Sequence, residues 1–162
     1  MFDHAGAHGD GPGARWARNV REGDAVHLLK PRGTFVTRPS SYHLFVGDET
    51  AQVAFGAMIR GLGNTRDTPV HSVIEVDTPE DRLDIPGTPT WLHRHGRPAA
   101  NSAPLVAGVA ALSLPSTPGT AYLAGEARTI QLVRAHLVRD RGWNHRDIIT
   151  KPFWTPGKTG ME

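Results

Sequence analysis

From residue 39 onward, short apolar runs alternate with segments of helical periodicity, and each run ends on a turn signal. Tyr42-His43-Leu44-Phe45-Val46 reads as a buried strand ending on Gly47. A helix then opens at Asp48-Glu49-Thr50 and runs to about Leu62. Thr50 is placed to cap it, Val53, Ala54, Ala57, Met58 and Leu62 fall near one face, and Gly63-Asn64 stops it. His71–Val76 predicts a second strand, followed by an acidic, proline-containing loop to Pro89, and Thr90–His93 a third. Ala99–Leu114 suits a helix with Pro104 in its first turn, and Ala121–Ala124 a fourth strand running into Gly125-Glu126. Ala127–Arg141 has the clearest amphipathic period, with Ile130, Val133, Leu137 and Val138 on one stripe and Gly142 as its stop. Asp147–Thr150 predicts a last strand, ahead of the tail KPFWTPGKTGME.

Strands and helices at this spacing predict an α/β fold, a parallel sheet with helices on both faces. Such sheets bind ligands in the crevice beyond the carboxyl ends of their strands. Two strand ends carry the same glycine-acid signature, Gly47-Asp48-Glu49-Thr50 and Gly125-Glu126. Glycine lets backbone approach a ligand, and a following helix N-terminus offers free N–H groups to phosphate or ribose oxygens. Either corner alone reads equally well as a glycine that simply ends a strand, whereas two in register on neighbouring elements favour a dinucleotide crevice. No G-x-G-x-x-G occurs, so the ordinary dinucleotide fingerprint is not in use.

The first 38 residues have a different rhythm. Residues 1–22 are rich in Gly, His and charge and read as loop; Gly23-Asp24 is a turn, Ala25–Leu29 a short strand, Pro31–Gly33 a turn and Thr34–Val36 a second β piece. That is the punctuation of a β-barrel.

Composition removes several chemistries. Cysteine is absent, which excludes disulfides, thiolate-held iron–sulfur clusters and a thiol nucleophile, so redox work needs an organic cofactor or a His/carboxylate metal site. His93 and His95 are spaced to face one side of a strand, but no third ligand follows, and His4 and His8 supply none; no metal site is expected. With 18 basic and 16 acidic residues the net charge is +2, and the basic residues are scattered, so nucleic acid is not an expected partner. The N-terminus has no signal-peptide pattern, and the longest apolar stretch falls far short of the ~20 residues of a membrane helix. A cytoplasmic protein without membrane insertion is expected.

Taken in order, the motifs resemble the siderophore-interacting proteins, a branch of the ferredoxin–NADP reductase superfamily. The segments that carry the resemblance are His8-Gly9-Asp10-Gly11-Pro12-Gly13-Ala14-Arg15-Trp16-Ala17, Pro31-Arg32-Gly33-Thr34-Phe35 and Val46-Gly47-Asp48-Glu49-Thr50-Ala51. Thr90-Trp91-Leu92-His93-Arg94, Gly125-Glu126-Ala127 and Phe153-Trp154-Thr155-Pro156-Gly157 follow. The resemblance implies residues 1–38 as the C-terminal remnant of an FAD-binding β-barrel and 39–162 as an NAD(P)-binding domain. It also implies the activity: hydride from NADPH or NADH to FAD, then single electrons to a ferric siderophore, releasing Fe(II). His8 and Gly11-Pro12-Gly13-Ala14 would lie by the FAD pyrophosphate at a helix start, with Trp16 near the cofactor or simply in the core. Gly47, Asp48, Glu49 and Thr50 would flank the nicotinamide and its phosphates, with Gly125 and Glu126 facing the same crevice. Asp48 and Glu49 suit helix capping equally. Arg94 is a candidate for the adenosine or its 2′-phosphate, or a solvated surface arginine; Phe153 or Trp154 would stack on flavin or nicotinamide, or anchor the C-terminus on the sheet. No residue is singled out as catalytic. The R-x-Y-[ST] flavin strand of the family has no counterpart here, so weak or absent FAD binding is expected of this chain, with a non-catalytic nucleotide-binding module as the alternative.

Overall fold

The computed structural model describes residues 12–27, 33–63 and 68–158, with backbone alone at 12–14. The chain divides into two compact units, 1–32 and 33–162. In the first, helix α1 spans Pro12–Asn19, with proline in its first turn where the missing N–H costs nothing. This segment reads as loop in sequence because its single apolar side chain of size, Trp16, is 54% exposed. Residues 25–27 and 34–36 form no strand; Leu28, Leu29, Pro31 and Arg32 lie outside the described residues.

The second unit is a five-stranded parallel sheet in the order β3-β2-β1-β4-β5. The strands are β1 His43–Asp48, β2 Val70–Val76, β3 Thr90–His93, β4 Thr120–Glu126 and β5 Ile148–Trp154. Helices α2 Gln52–Gly61, α3 Ala103–Ala110 and α4 Ala127–Arg139 connect them. β1 and β4 are buried along their whole length, as strands covered on both faces must be. One core joins Leu44, Val46, Val73 and Leu123 to Leu105 of α3 and Leu137 of α4. The other joins Phe45, Ile74 and Tyr122 to Phe55 and Ile59 of α2. There Tyr122 stacks on Phe45 at 4.9 Å, and its hydroxyl accepts the Arg38 N–H at 2.9 Å, which fastens the lead-in segment to the sheet. Among the described residues no helix is long and apolar enough to cross a membrane.

Helix α2 differs from expectation in phase. The buried residues are Gln52, Phe55, Gly56 and Ile59, while Val53 is 70% exposed. Apolar residues occupy most of its circumference, so periodicity alone selects no face. The cap is also different: a 3-10 turn, Glu49–Ala51, intervenes, and Asp48 rather than Thr50 caps it. Helix α3 begins later than expected because Ser102 Oγ accepts the Leu105 N–H and fixes the start. It ends early, where Arg141 Nη2 donates to the carbonyls of Val109, Ala110 and Leu112. Strand β5 runs past Thr150 to Trp154 and contains Pro152, which an edge strand tolerates.

The phase of α2 is directly checkable by urea denaturation. Phe55→Ala is expected to cost about 3–5 kcal/mol, and Val53→Ala no more than about 0.5 kcal/mol.

Candidate functional site

The chain lays β2 and β3 on one side of β1, then returns to place β4 and β5 on the other, so the order reverses between β1 and β4. That is the switch point at which open α/β sheets hold ligands. Gly47 pairs with Ala124 across it, which brings both glycine-acid corners to adjacent strand ends at the carboxyl edge. Their glycines serve strand packing. A Cβ on Gly47 would stand 2.1 Å from the Ala124 carbonyl oxygen, and one on Gly125 would stand 2.6 Å from the Asp48 carboxylate. Gly125 also has φ +129°, a region that side chains avoid.

Asp48 occupies the centre of this edge and is buried. Its Oδ1 accepts the N–H and the hydroxyl of Thr50; its Oδ2 accepts the Glu126 N–H at 2.7 Å and the Trp154 indole Nε1–H at 3.0 Å. One carboxylate therefore ties the ends of β1, β4 and β5. Burial pushes its pKa up and the Glu49 charge adds to this, while the donors from Thr50, Glu126 and Trp154 pull it back.

Glu126, also buried, turns its carboxylate onto α4, accepting the N–H groups of Arg128 at 2.9 Å and Thr129 at 2.7 Å and the Thr129 hydroxyl at 2.8 Å. Part of the N–H donor set expected at the two corners is thus taken internally, the Thr50 N–H by Asp48 and those of Arg128 and Thr129 by Glu126.

Arg94, expected to meet solvent or an adenosine phosphate, is buried. It grips Glu49 through both Nη atoms, at 2.6 and 2.7 Å, with its Nη1 3.9 Å from Glu75 Oε2. Burial opposes its charge, but Glu49 and Glu75 outweigh burial and raise its pKa. Glu75 escaped the sequence reading, although a lone carboxylate inside the apolar run of β2 was the signal available. Its Oε1 accepts from Ser102 Oγ at 2.6 Å, and its Oε2 is buried with no hydrogen-bond partner. Burial holds its pKa above the ordinary value against the pull of Ser102 and Arg94.

The remaining expected residues lie as follows. His8 and Gly11 are outside the described residues, and Pro12, Gly13 and Ala14 open α1. Thr50 is exposed at the rim and Trp154 is half-buried beside Asp48. Phe153 packs into the α2-side core instead. His93 accepts from Arg82 Nε at 3.1 Å, and its ring centroid lies 5.7 Å from that of His95.

Known proteins match this arrangement. A family model described as siderophore-interacting protein matches residues 40–157, and one described as siderophore-interacting FAD-binding domain matches residues 4–35. A solved siderophore utilization protein from T. fusca is 28% identical with TM-score 0.74, matching 94% of this chain and 59% of its own. The siderophore-interacting protein SipS from Aeromonas hydrophila is 30% identical with TM-score 0.75, over 94% and 60%. A siderophore-interacting protein from Acinetobacter baumannii, 18% identical with TM-score 0.73 over 92% and 61%, shares the fold. The chain spans about 60% of the length of these relatives.

The buried Glu75 carboxyl gives a signed pH dependence. A raised folded-state pKa means the native state holds the proton more tightly, so this contribution is complete below the ordinary value of 4.5 and is lost as pH rises through the folded value. Glu75→Gln is therefore expected to flatten the fall in stability above pH 4.5 and to leave the chain more stable than wild type at neutral pH. Denaturation midpoints at a series of pH values read this, and an unchanged profile would refute it.

Proposed function

The chain belongs to the siderophore-interacting protein family, and from that premise we propose that its parallel sheet is the pyridine-nucleotide half of an NAD(P)H-dependent, FAD-mediated ferric-siderophore reductase. The observation that carries the reading is the pair of glycine-acid corners side by side at the β1/β4 switch point.

The residues there fit one end of the coenzyme better than the other. Asp48, Glu49 and Glu126 gather at the strand ends, with Arg94 bonded to Glu49. Carboxylates suit a pyridine ring, which becomes cationic when oxidised, and can accept from its carboxamide. They repel phosphate. Glu49 keeps acceptor capacity beyond Arg94, since a carboxylate offers about four lone-pair sites. Gly47, Asp48, Glu49, Thr50, Gly125, Glu126 and Trp154 then surround the nicotinamide, and the diphosphate lies away from these carboxylates. Buried Arg94 orients Glu49 and touches no phosphate.

The matched flavin-domain segment includes the start of α1, whose first turn carries no acidic residue and suits an FAD pyrophosphate through its N–H groups. Trp16, exposed on that helix, is available to the cofactor. When bound, the flavin would take a hydride from reduced nicotinamide and deliver single electrons to chelated Fe(III). The protein's own part is placement, exclusion of water from the acid-lined edge and a fixed field around the pyridine.

The test supplies purified chain with NADPH, a ferric siderophore and FAD in excess, because weak FAD binding is expected of this chain, and follows NADPH absorbance and a coloured Fe(II) chelate. The expected yield is two Fe(II) per NADPH, because a hydride carries two electrons and each Fe(III) accepts one, with no reaction when FAD is omitted. NADPH binding without any FAD-dependent turnover would support a nucleotide-binding module instead. Absence of NADPH and NADH binding by calorimetry would end both readings.

A further inference from the structure

The coenzyme reading leaves Glu75 without a role, yet the fold sets it beside the residues that reading uses. In the sheet it stands in register with Asp48 of β1 on one side and Leu92 of β3 on the other. The residue is 1% exposed. Its Oε1 accepts from Ser102 Oγ at 2.6 Å, and its Oε2 has no hydrogen-bond partner among the described residues. Arg94 faces it but spends both Nη atoms on Glu49, and its Nη1 stands 3.9 Å from Glu75 Oε2, too far for a hydrogen bond. One guanidinium thus lies between two carboxylates and is bonded to one of them.

An ionised Glu75 in this position has a buried oxygen without a donor, and the protonated form avoids that cost. Burial holds the proton on, Ser102 and the Arg94 charge work to remove it, and the charges of Glu49 and Asp48 help to retain it. Leu92 and Ser102, its neighbours from β3 and α3, carry no charge. The protonation of Glu75 therefore turns on the charges gathered at the ends of β1 and β3, and one further cation there tips it. The coenzyme changes by that one charge when it is oxidised, since the pyridine ring is neutral before the hydride leaves and cationic afterwards. Its phosphates are the same in both forms.

We propose that Glu75 is a positioning residue that answers to the charge of the pyridine ring, keeping its proton beside the neutral reduced ring and releasing it to solvent beside the cationic oxidised ring. Once ionised, it competes for the Arg94 Nη1 that Glu49 otherwise holds, and Glu49 turns more of its charge to the ring. This rests on the coenzyme reading above and adds to it a proton tied to the oxidation state. A proton that leaves as the oxidised form binds makes affinity for that form rise with pH, by no more than about tenfold per unit for a single group. Affinity for the reduced form lacks this rise.

The experiment is calorimetric titration of the full chain with NADP+ and with NADPH between about pH 6 and 9, in buffers of differing ionisation heat. The 2′-phosphate titrates in both forms and cancels in the ratio of their affinities. In wild type the ratio of NADP+ to NADPH affinity is expected to rise about 3–10-fold across that range, with more protons released by NADP+ than by NADPH. Glu75→Gln, checked for folding by circular dichroism, is expected to bind both forms with a flat ratio and equal proton release. A ratio independent of pH in wild type, or a rise that survives in Glu75→Gln, overturns the inference while leaving the coenzyme reading intact. Should Glu75→Gln fail to fold, Ser102→Ala decides the matter. It removes the donor to Oε1, which favours the ionised form, so the rise in the ratio is expected at higher pH. A rise that stays in place overturns the inference. No binding of either form by wild type removes the reading and the inference together.

Discussion

A carboxylate buried where three strands end is a constraint before it is a function. Taking Asp48 out of water costs several kcal/mol unless its oxygens find donors. Thr50 supplies a backbone and a side-chain donor, Glu126 a backbone N–H, and Trp154 an indole N–H. Each arrives from a different geometric requirement: the 3-10 turn after β1, the end of β4, and the shifted register of β5. Gly125 must lack a side chain for Asp48 to lie there at all, and Gly47 must lack one for β1 and β4 to pair closely. The two glycines and the acid form one packing solution, which explains why the corner motifs occur as pairs.

A second network extends the first. Glu126 caps α4 and accepts from Thr129; Thr129 Oγ1 accepts the Ser102 N–H; Ser102 caps α3 and donates to Glu75; Glu75 faces Arg94, which holds Glu49. Asp48 and Glu126 each bond N–H groups of the element that follows them, one at Thr50 and two at Arg128 and Thr129. What remains at the edge is acceptor-rich and fixed before any ligand arrives, the condition under which polar groups act without reorganisation. On the proposed reading, such an acceptor-rich edge suits the pyridine end of a dinucleotide better than its phosphates.

The five strands of the sheet and the three helices between them were legible because both depend on local pattern: apolar runs ending in turn residues, and the clean stripe of α4. The face of α2 was not, since an apolar helix presents no preferred side until the sheet selects one. Helix α1 hid because its apolar period is too short to register. At the site, the residues Asp48, Glu126 and Trp154 could be named from sequence, but their relations could not. Whether a carboxylate caps its own turn, a neighbouring strand or a ligand depends on contacts far apart in sequence, 78 residues apart for Glu126 to Asp48 and 106 for Trp154 to Asp48. Arg94 shows the same gap: an arginine after a short edge strand looks solvent-facing until Glu49 and Glu75 appear on either side of it.

The register shift in β5 is where sequence, packing and chemistry meet. Side chains on a strand alternate faces, so a continuous ladder would set Phe153 rather than Trp154 opposite Glu126. Pro152 immediately before the shift cannot donate to the ladder, which makes this the natural place for pairing to slip. The slip lets one aromatic enter the core and the next reach Asp48, so an aromatic pair divides into a structural and an edge-facing residue. The proline and the buried acid act together here, since the first loosens the ladder and the second gives the released indole a bond to settle on.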